Sequence, residues 1–206
     1  MKIALITDQH LDGRKGSLAF WNYWQQFYDN IFFPTLEKEG IDTVIDLGDT
    51  FDNRKSMDFN TFNRVSDNYF DKLKSYKVHM LLGNHCVYYK NTNKVNSPEL
   101  LLKQYDNITI YSEPEHLKLG SKNFLMLPWI NRENQKEIFK LLETSEADVC
   151  CGHLELSGFE MNPGFLMDHG MDPKLFRRFK RVWSGHYHHK STKGNITYLG
   201  NPYQMF

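Results

Sequence analysis

The sequence predicts a single domain of the α/β class, in which helices are layered against a central β-sheet. Short apolar runs alternate with longer amphipathic stretches along most of the 206 residues, as in proteins built from strands with helices between them. No repeat, low-complexity segment or linker rich in proline and glycine interrupts this alternation. The length suits one domain of ordinary size, so we expect residues 1–206 to form one unit.

Eight runs are predicted as strands, because each is apolar or β-branched and too short for a helix. They cover residues 2–7, 42–47, 78–82, 108–111, 124–127, 148–151, 181–183 and 196–199.

Two helices are predicted from local signals. An aromatic and aliphatic stripe recurs at helical spacing, and we interpret it as core packing. Gly40 is placed to end this element, after a kink or restart at Pro34. Ser97 and Pro98 are predicted as the N-cap and first residue of a later helix. The stripe consists of Phe20, Trp24, Phe27 and Ile31.

Composition excludes several classes of protein. The 25 basic and 25 acidic residues balance, so no surface that coats polyanions is predicted, and any attraction to nucleic acid would be local. No apolar run approaches the ~20 residues of a membrane span, and no signal peptide precedes the first predicted strand. Cys86, Cys150 and Cys151 are odd in number and two are adjacent, which argues against a disulfide framework and for a reducing cytoplasm.

Five short motifs follow predicted strands, and each carries a side chain that can bind a metal. Loops that leave the carboxyl ends of strands meet at one edge of an α/β sheet, so we expect these motifs to converge. A glycine ahead of four of them would let the backbone turn sharply and approach closely. The motifs are Asp8-Gln9-His10, Gly48-Asp49 with Asp52, Gly83-Asn84-His85, Gly152-His153 and Gly185-His186-Tyr187-His188.

The side chains of these motifs indicate a pair of divalent metals. Asp8 and His10 are two residues apart, so an extended segment points both to the same side, and the same holds for His186 and His188. Carboxylate, imidazole and amide oxygen form a mixed ligand set that suits manganese, iron or zinc. Two metals about 3.5–4 Å apart need a bridging carboxylate, and we assign that role to Asp49.

The order D-x-H, GDxxD, GNH, GH and GHxH resembles the calcineurin-like metallophosphoesterase superfamily over almost the whole chain. Longer linking stretches resemble more narrowly the SbcD-type DNA repair nucleases, in particular the recombination endonuclease subunits of tailed phages. The resemblance implies a layered metallophosphoesterase fold with central mixed β-sheets flanked by helices. The linking stretches are GDTFDNRKSMDFNTFN, GNHCVYYKN, LPWINREN, GHLELSGF and VWSGHYHHKS followed by YLGNPYQ.

The resemblance also implies a role for each motif residue. His85 matches the family's catalytic histidine, which contacts the scissile phosphate and protonates or positions the leaving 3′ oxygen. Asp52 is interpreted as orienting a ligand histidine, with a solvated loop carboxylate as the alternative. The expected cofactors are two divalent ions, Mn²⁺ first, with Mg²⁺, Fe²⁺ or Zn²⁺ as alternatives. The implied ligands are Asp8, His10, Asp49 and His188 for one metal, and Asp49, Asn84, His153 and His186 for the other.

Cys86 departs from the family, which usually has an aspartate or glutamate after GNH. A carboxylate there would accept the N–H of His85 and hold the ring, whereas a thiol is a poor acceptor. We expect Cys86 to lie behind the ligands without binding a metal. Three explanations stay open: another carboxylate replaces it in space, the acid step is weakened, or the substitution was engineered.

Basic residues close to the motifs are interpreted as contacts to the phosphates of a nucleic acid, with ordinary solvated charges as the alternative. Tyr187, between two implied ligand histidines, is interpreted first as core packing, with stacking on a base or sugar of the substrate as the alternative. The basic residues are Arg14, Lys15, Arg54, Lys55, Lys90, Lys94, Lys190 and Lys193.

The function that the resemblance implies is that of a metal-dependent DNA nuclease in recombination and double-strand break repair, with exonuclease activity on duplex ends and endonuclease activity on single strands. The expected partners are DNA, an SbcC-type coiled-coil ATPase and a second copy of the chain, in the cytoplasm and without a membrane. We expect the family's capping domain and ATPase-binding tail to be absent. The alternatives are a metallophosphatase or cyclic-nucleotide phosphodiesterase, and a non-catalytic scaffold.

Overall fold

The structure is a computed structural model that describes residues 1–162 and 164–204. The strands in the described part are β1 (Ala4–Ile6), β2 (Thr43–Asp46), β3 (Lys77–Leu81), β4 (Ile108–Tyr111), β5 (Glu115–Leu119), β6 (Lys122–Leu127), β7 (Val149–His153), β8 (Glu160–Asn162), β9 (Phe165–Leu166), β10 (Arg181–Gly185), β11 (Ser191–Lys193) and β12 (Ile196–Tyr198). All eight predicted strands are confirmed, with ends within two residues, whereas β5, β8, β9 and β11 were not predicted.

Two sheets contain most of these strands. The first has the order β1-β2-β3-β4, and its neighbouring strands are parallel. The second has the order β11-β12-β10-β7-β6-β5, in which the outer strands β11 and β5 are antiparallel to their neighbours and the other pairs are parallel. Strands β8 and β9 form a separate hairpin.

The helical segments lie on the outer faces of the two sheets. Two π-helical turns, Tyr28–Phe32 and Ser66–Phe70, extend α2 and α4, and short 3₁₀ turns lie at Lys72–Ser75 and Pro173–Phe176. The segments are α1 (Gly13–Gly16), α2 (Leu18–Phe27), α3 (Phe33–Glu39), α4 (Phe59–Val65), α5 (Ser97–Leu101) and α6 (Gln135–Thr144).

The two sheets pack face to face, because alternate residues of a strand point to opposite sides. In the first sheet Ile45 contributes to the cluster between the sheets, while Val44 packs against the outer helices. In the second sheet Met126 faces inward and Leu125 packs toward α6. The result is four layers, helix, sheet, sheet and helix, which confirms the predicted α/β class. The inner cluster of buried residues is Ile45, Leu47, Leu81, Tyr111, Phe124, Met126 and Cys151.

The long helix at α2 buries a different face from the predicted stripe. Trp24 is buried and Phe27 packs against the same core, but Phe20 is 37% and Ile31 57% exposed. A π-helical turn has more residues per turn than an α-helix, so Tyr28–Phe32 shifts which positions face the sheet. The core-packing interpretation is therefore wrong for Phe20 and Ile31. The face that is buried carries Trp21, Trp24, Tyr28 and Phe32.

The predicted helix ends lie close to the observed ones. Gly40 ends α3 with a left-handed φ of 61°, and α3 restarts at Phe33, next to Pro34. Helix α5 begins at Ser97 as a helical residue, so the predicted N-cap is wrong by one position. The cap is Asn96, whose side chain accepts a hydrogen bond of 2.9 Å from the N–H of Glu99.

Two exclusions drawn from composition can be compared with the structure. Cys86, Cys150 and Cys151 are buried and free, which agrees with the predicted absence of a disulfide framework. Across the described part of the chain, each helix is too short or too polar for a membrane crossing.

Candidate metal centre

The five predicted motifs meet at one edge of the molecule, where strands of both sheets end. Loops after β1, β2 and β3 bring in the first three motifs from the four-stranded sheet. The six-stranded sheet supplies the other two: His153 is the last residue of β7, and the last motif continues from the end of β10. The contacts among these side chains, described below, join residues that are up to 178 positions apart in sequence.

Several residues at this edge have a left-handed backbone conformation, which is unusual for residues other than glycine. Asp8, His10, Asp49 and His186 have positive φ angles of 50°, 45°, 51° and 91°. Such conformations cost on the order of 1–3 kcal/mol each and concentrate at functional sites. Four of the seven implied metal ligands therefore have a strained backbone conformation, as is typical of functional sites.

Glycines allow the loops to approach one another closely. A Cβ atom added to Gly83 would overlap the carboxylate and backbone of Asp49. A Cβ atom added to Gly185 would overlap the Thr7 side chain and lie 3.0 Å from both Asp8 Oδ2 and His153 Nδ1. These two glycines are thus required by close approach, as predicted, because no larger residue fits between the loops.

A first cluster contains Asp8, His10 and His188, whose potential ligand atoms all lie within 4.8 Å of one another. The Nε2 atoms of His10 and His188 are 3.2 Å apart, and Nε2 of His188 is 3.7 Å from the Asp8 carboxylate. Nδ1 of His10 lies 3.1 Å from the Asp52 carboxylate, which directs Nε2 of His10 into the cluster. The orienting role of Asp52 stays a prediction, with this contact as its support.

A second cluster contains Asp49, His153 and His186, again within 4.8 Å. Nδ1 of His153 donates to the Leu47 carbonyl at 2.9 Å, so Nε2 is the nitrogen that faces the cluster. That Nε2 lies 3.3 Å from the Asp49 carboxylate and 3.1 Å from Oδ1 of Asn84. Oδ1 of Asn84 is also 2.8 Å from Nδ1 of His186, so the amide oxygen joins the same group.

Asp49 belongs to the second cluster and also interacts electrostatically with His10 of the first. Its Oδ1 accepts the backbone N–H of His85 at 2.8 Å, while its Oδ2 faces His153. Burial opposes ionisation of Asp49, but His153, His10 and His85 together hold its pKa below the usual range. Burial likewise lowers the pKa of His153, and the nearby Asp49 carboxylate outweighs it, raising that pKa to about 9. The electrostatic influence of His10 and His153 on one carboxylate fits a bridging position.

The chemistry of this donor set fits divalent cations. In the second cluster a carboxylate oxygen, an amide oxygen and two imidazole nitrogens converge, and most of these atoms are hydrogen-bond acceptors. Burial, followed by the charge of His153, lowers the pKa of His186 to about 3, so its imidazole is neutral and able to bind a metal. A cation among these atoms would satisfy acceptors that otherwise face one another.

His85 lies beside the clusters, and Nδ1 of its ring contacts Asp52. Its Nδ1 donates to the backbone carbonyl of Asp52 at 2.7 Å and lies 3.6 Å from the Asp52 carboxylate. Asp12, which the sequence analysis missed, fixes this loop: its carboxylate accepts the backbone N–H groups of Asp52 at 2.6 Å and Asn53 at 3.2 Å. The signal was a second acidic residue in this stretch, two positions after His10, but its partners lie about forty positions away.

Comparison with known proteins now identifies the family. The sequence matches the calcineurin-like phosphoesterase family over residues 1–190. The chain belongs to this family. Calcineurin-like phosphoesterases bind divalent metals, and the His and Asp clusters described above are able to hold them.

Two curated viral proteins are similar in sequence. The chain is 36% identical over 171 residues to exonuclease subunit 1 of Enterobacteria phage T4, covering 82% of this chain and 50% of that protein. It is 28% identical over 213 residues to the putative phosphoesterase 078R of Invertebrate iridescent virus 3, covering 99% of this chain and 58% of that protein. The chain thus spans about half the length of these relatives. The first match confirms the predicted resemblance to phage nuclease subunits.

A solved structure has a similar fold. The nuclease MPE of Pseudomonas putida superimposes with a TM-score of 0.50 at 17% sequence identity, over 97% of this chain and 73% of that one. This similarity supports the metallophosphoesterase fold predicted from the motifs.

Cys86 lies in the protein interior, behind the candidate metal ligands. It is completely buried with Leu82 and Val87, and burial raises the pKa of its thiol to about 12. Among the three explanations for the missing carboxylate, the contacts favour replacement in space, because the carbonyl and carboxylate of Asp52 lie on the Nδ1 side of His85.

The basic residues predicted to contact phosphates lie in helix α1, in loops and, for Lys193, in strand β11. Arg14 and Lys15 occupy α1 with left-handed dihedral angles and are exposed, and the Arg14 guanidinium lies 5.1 Å from the Phe20 ring. Arg54 is half-buried, and the Lys55 ammonium lies 5.6 Å from the Tyr88 ring. Their contact with phosphate stays a prediction.

The structure also shows the surroundings of two aromatic residues, Tyr187 and Trp129. Tyr187 has no exposed surface: its hydroxyl donates to the Leu156 carbonyl at 2.9 Å and its ring stacks on Tyr198 at 4.5 Å. Stacking of Tyr187 on a base is therefore wrong, and core packing is its role. Trp129, within the LPWINREN stretch, was not assigned a role, yet its half-buried ring lies 5.3 Å from the ring of His186.

Proposed function

We propose that this chain is a two-metal phosphodiesterase that cleaves DNA, with exonuclease activity on duplex ends and endonuclease activity on single strands. One observation carries the proposal: two His and Asp clusters lie at one edge of the fold, beside a half-exposed His85 whose Nδ1 donates to the Asp52 carbonyl. The similarity to a phage protein named an exonuclease subunit supports a nuclease.

The proposed ligand sets follow the two clusters. The first metal takes Asp8, His10, Asp49 and His188, and the second takes Asp49, Asn84, His153 and His186. Imidazole and oxygen donors in these proportions suit Mn²⁺, and Mg²⁺, Fe²⁺ or Zn²⁺ are the alternatives. When bound, such a pair of cations activates a water molecule and stabilises negative charge on the phosphate oxygens.

His85 is the proposed catalytic residue. Because its Nδ1 donates to the Asp52 carbonyl, the proton available to a substrate is the one on Nε2. We assign to Nε2 the contact with the scissile phosphate and the donation of a proton to the leaving 3′ oxygen. The Asp52 carboxylate lies 3.6 Å from the same Nδ1 atom.

We further propose that the chain acts in recombination and double-strand break repair in the cytoplasm, as a homodimer with an SbcC-type ATPase. The support is the name of the T4 relative, a subunit, together with the linking stretches that resemble SbcD-type nucleases. A phosphatase or cyclic-nucleotide phosphodiesterase on the same metal core is the second candidate, favoured by similarity to a viral protein named a putative phosphoesterase.

Cleavage of end-labelled single- and double-stranded DNA with Mn²⁺ tests the proposal. We expect activity from the wild type, a loss of about 10²–10⁴-fold in His85→Ala, and a comparable loss in Asn84→Ala. His116→Gln is the matched control, because this exposed histidine bonds to Ser145 on another side of the fold. If the wild type leaves every DNA intact and cleaves bis(p-nitrophenyl) phosphate, the nuclease proposal fails and the small-phosphoester alternative stands.

A further inference from the structure

A groove extends from the second metal cluster along the outer side of the six-stranded sheet. Its first part is a cavity of about 520 Å³ whose lining includes Trp129 and the ligand candidate His153. Its second part is a cavity of about 540 Å³ beside α6. Both are lined by Asp172 and Leu175, so the two cavities adjoin. We call this feature the α6 groove.

Positive charge is concentrated at the far end of the α6 groove. Residues 174–181, KLFRRFKR, hold five of the 25 basic residues of a chain whose formal charge is zero. Phe176 and Phe179 are buried and anchor this segment, while its basic side chains are exposed. Lys174, Arg177 and Arg178 line the second cavity.

The lining as a whole keeps an excess of cations. Lys90 and Arg132 line the first cavity, which also contains the carboxylates of Glu155 and Asp172, and Glu143 lines the second. The Asp172 carboxylate accepts the backbone N–H of Lys174 at 2.9 Å, so it is engaged in starting the 3₁₀ turn. Five cations therefore face three carboxylates. The Asp172 carboxylate is bonded to the backbone of Lys174, and the Arg178 guanidinium donates to the backbone carbonyl of Glu143.

Aromatic surface lies at the end nearest the metals. Trp129 and Phe139 are both half-buried and line the first cavity. Proteins that bind single strands combine a cationic groove along the backbone with aromatic faces on which bases stack. Cavities of about 520 and 540 Å³ fall in the range of small-molecule sites, which suits individual nucleotides.

We propose that the α6 groove binds single-stranded DNA. A base stacks on Trp129 next to the second metal cluster, and the phosphates pass Arg132 on the way to Arg177 and Arg178. This inference rests on the proposed function, which it deepens by naming the path of the substrate strand.

Charge removal at the far end tests the inference. The double variant Arg177→Gln/Arg178→Gln is compared with Lys118→Gln/Lys122→Gln, which removes two exposed charges from the β5–β6 hairpin. Binding of labelled oligo(dT) to the metal-free protein is followed by fluorescence anisotropy over a range of salt. We expect about tenfold weaker binding for the arginine pair, and a slope of log K against log salt that is shallower by about 1–2. The lysine pair should bind as the wild type does.

Cleavage separates this inference from the proposed function. The arginine pair should raise KM for long oligo(dT) and leave hydrolysis of bis(p-nitrophenyl) phosphate unchanged, with an unaltered thermal midpoint showing that the fold is intact. Equal losses in the two double variants, or weakened binding of blunt duplex but not of oligo(dT), would overturn the α6 groove as a single-strand site. Absence of DNA cleavage by the wild type would instead overturn the nuclease proposal, whatever the binding shows.

Discussion

At the scale of single residues, the orientation of His85 depends on a carboxylate that never touches it. Asp12 is buried and accepts two backbone N–H groups, from Asp52 and Asn53. Those contacts hold the Asp52 carbonyl where it receives the His85 Nδ1 proton, and the Asp52 carboxylate where it faces His10. Asp12 is thus a positioning residue for both the catalytic candidate and one ligand.

Replacing Asp12 with alanine should lower kcat about 10–100-fold with a smaller effect on KM, because the loop that orients His85 and His10 loses its anchor. Asp12→Asn should recover part of the rate, since it keeps one acceptor oxygen. The measurement is hydrolysis of a small phosphodiester with Mn²⁺. Asp58→Ala is the control: it removes a carboxylate that caps α4 through Thr61 and should cost about 1 kcal/mol of stability without changing kcat. An Asp12→Ala enzyme with wild-type kcat would contradict the positioning role.

Cys86→Asp should not accelerate the enzyme, because Cys86 is buried among apolar side chains and Asp52 already serves His85. A carboxyl group at that position would lose its hydration and destabilise the fold by about 1–3 kcal/mol. Unfolding in denaturant and steady-state rates on one small phosphodiester measure the two effects. Cys86→Ala is the comparison that separates loss of the thiol from gain of a charge. A faster Cys86→Asp enzyme would mean that the cysteine is a deficit after all.

Asp46, at the end of β2, should make stability depend on pH. It is fully buried, and burial raises its pKa from 3.8 to about 7. The unfolded chain releases this proton at lower pH than the folded one, so stability is lost as pH rises from about 4 to 7 and stays lower above that. Between about pH 5 and pH 8, the unfolding free energy of the wild type should fall by about 2–3 kcal/mol relative to that of Asp46→Asn. A difference independent of pH would show that the carboxyl is already ionised when folded.

At the scale of secondary-structure elements, the sequence predicted strands that are buried and missed those that are not. Each predicted strand is an apolar or β-branched run, but β5 and β11 lie at the edges of the six-stranded sheet and are largely polar. The division into two sheets was not predictable either, because the apolar pattern of a strand does not determine which other strand pairs with it. The convergence of the motifs was predictable, since each follows a strand. Asp12 and Trp129 were not, because their partners belong to other loops.

The helix from α2 to α3 offers a direct comparison between the predicted and the observed buried face. Trp24→Ala should destabilise the protein by about 3–5 kcal/mol, because Trp24 is buried and its ring stacks on Tyr203 at 5.2 Å. Ile31→Ala should change stability by no more than about 0.5 kcal/mol, because Ile31 is largely exposed. Urea denaturation at one pH measures both. Comparable costs for the two variants would restore the simple helical stripe and contradict the rotation caused by the π-helical turn.

At the scale of the whole molecule, the candidate metal centre joins the two sheets. The loops of the four-stranded sheet supply four implied ligands and the six-stranded sheet supplies three. The inner faces of the two sheets pack mainly through apolar side chains, and the candidate ligands of both halves meet at the ligand edge. A cation bound there would connect the halves of the fold as well as serve catalysis. The implied ligands are Asp8, His10, Asp49 and Asn84 from the first sheet, and His153, His186 and His188 from the second.

Divalent metal should therefore stabilise the folded chain by an amount that depends on Asp49. A ligand that binds only the folded state adds about 2.7 kcal/mol at a concentration one hundred times its dissociation constant, so Mn²⁺ should raise Tm and EDTA should reverse the rise. Asp49→Asn removes the carboxylate proposed to bridge the two metals and should abolish most of this increase, whereas His116→Gln should keep it. The quantity compared is the shift caused by Mn²⁺, because Asp49→Asn also loses its contact with His153 in the metal-free protein. The same shift in Asp49→Asn and wild type would place the metal elsewhere, and a ligand edge that spans two sheets would then need another explanation.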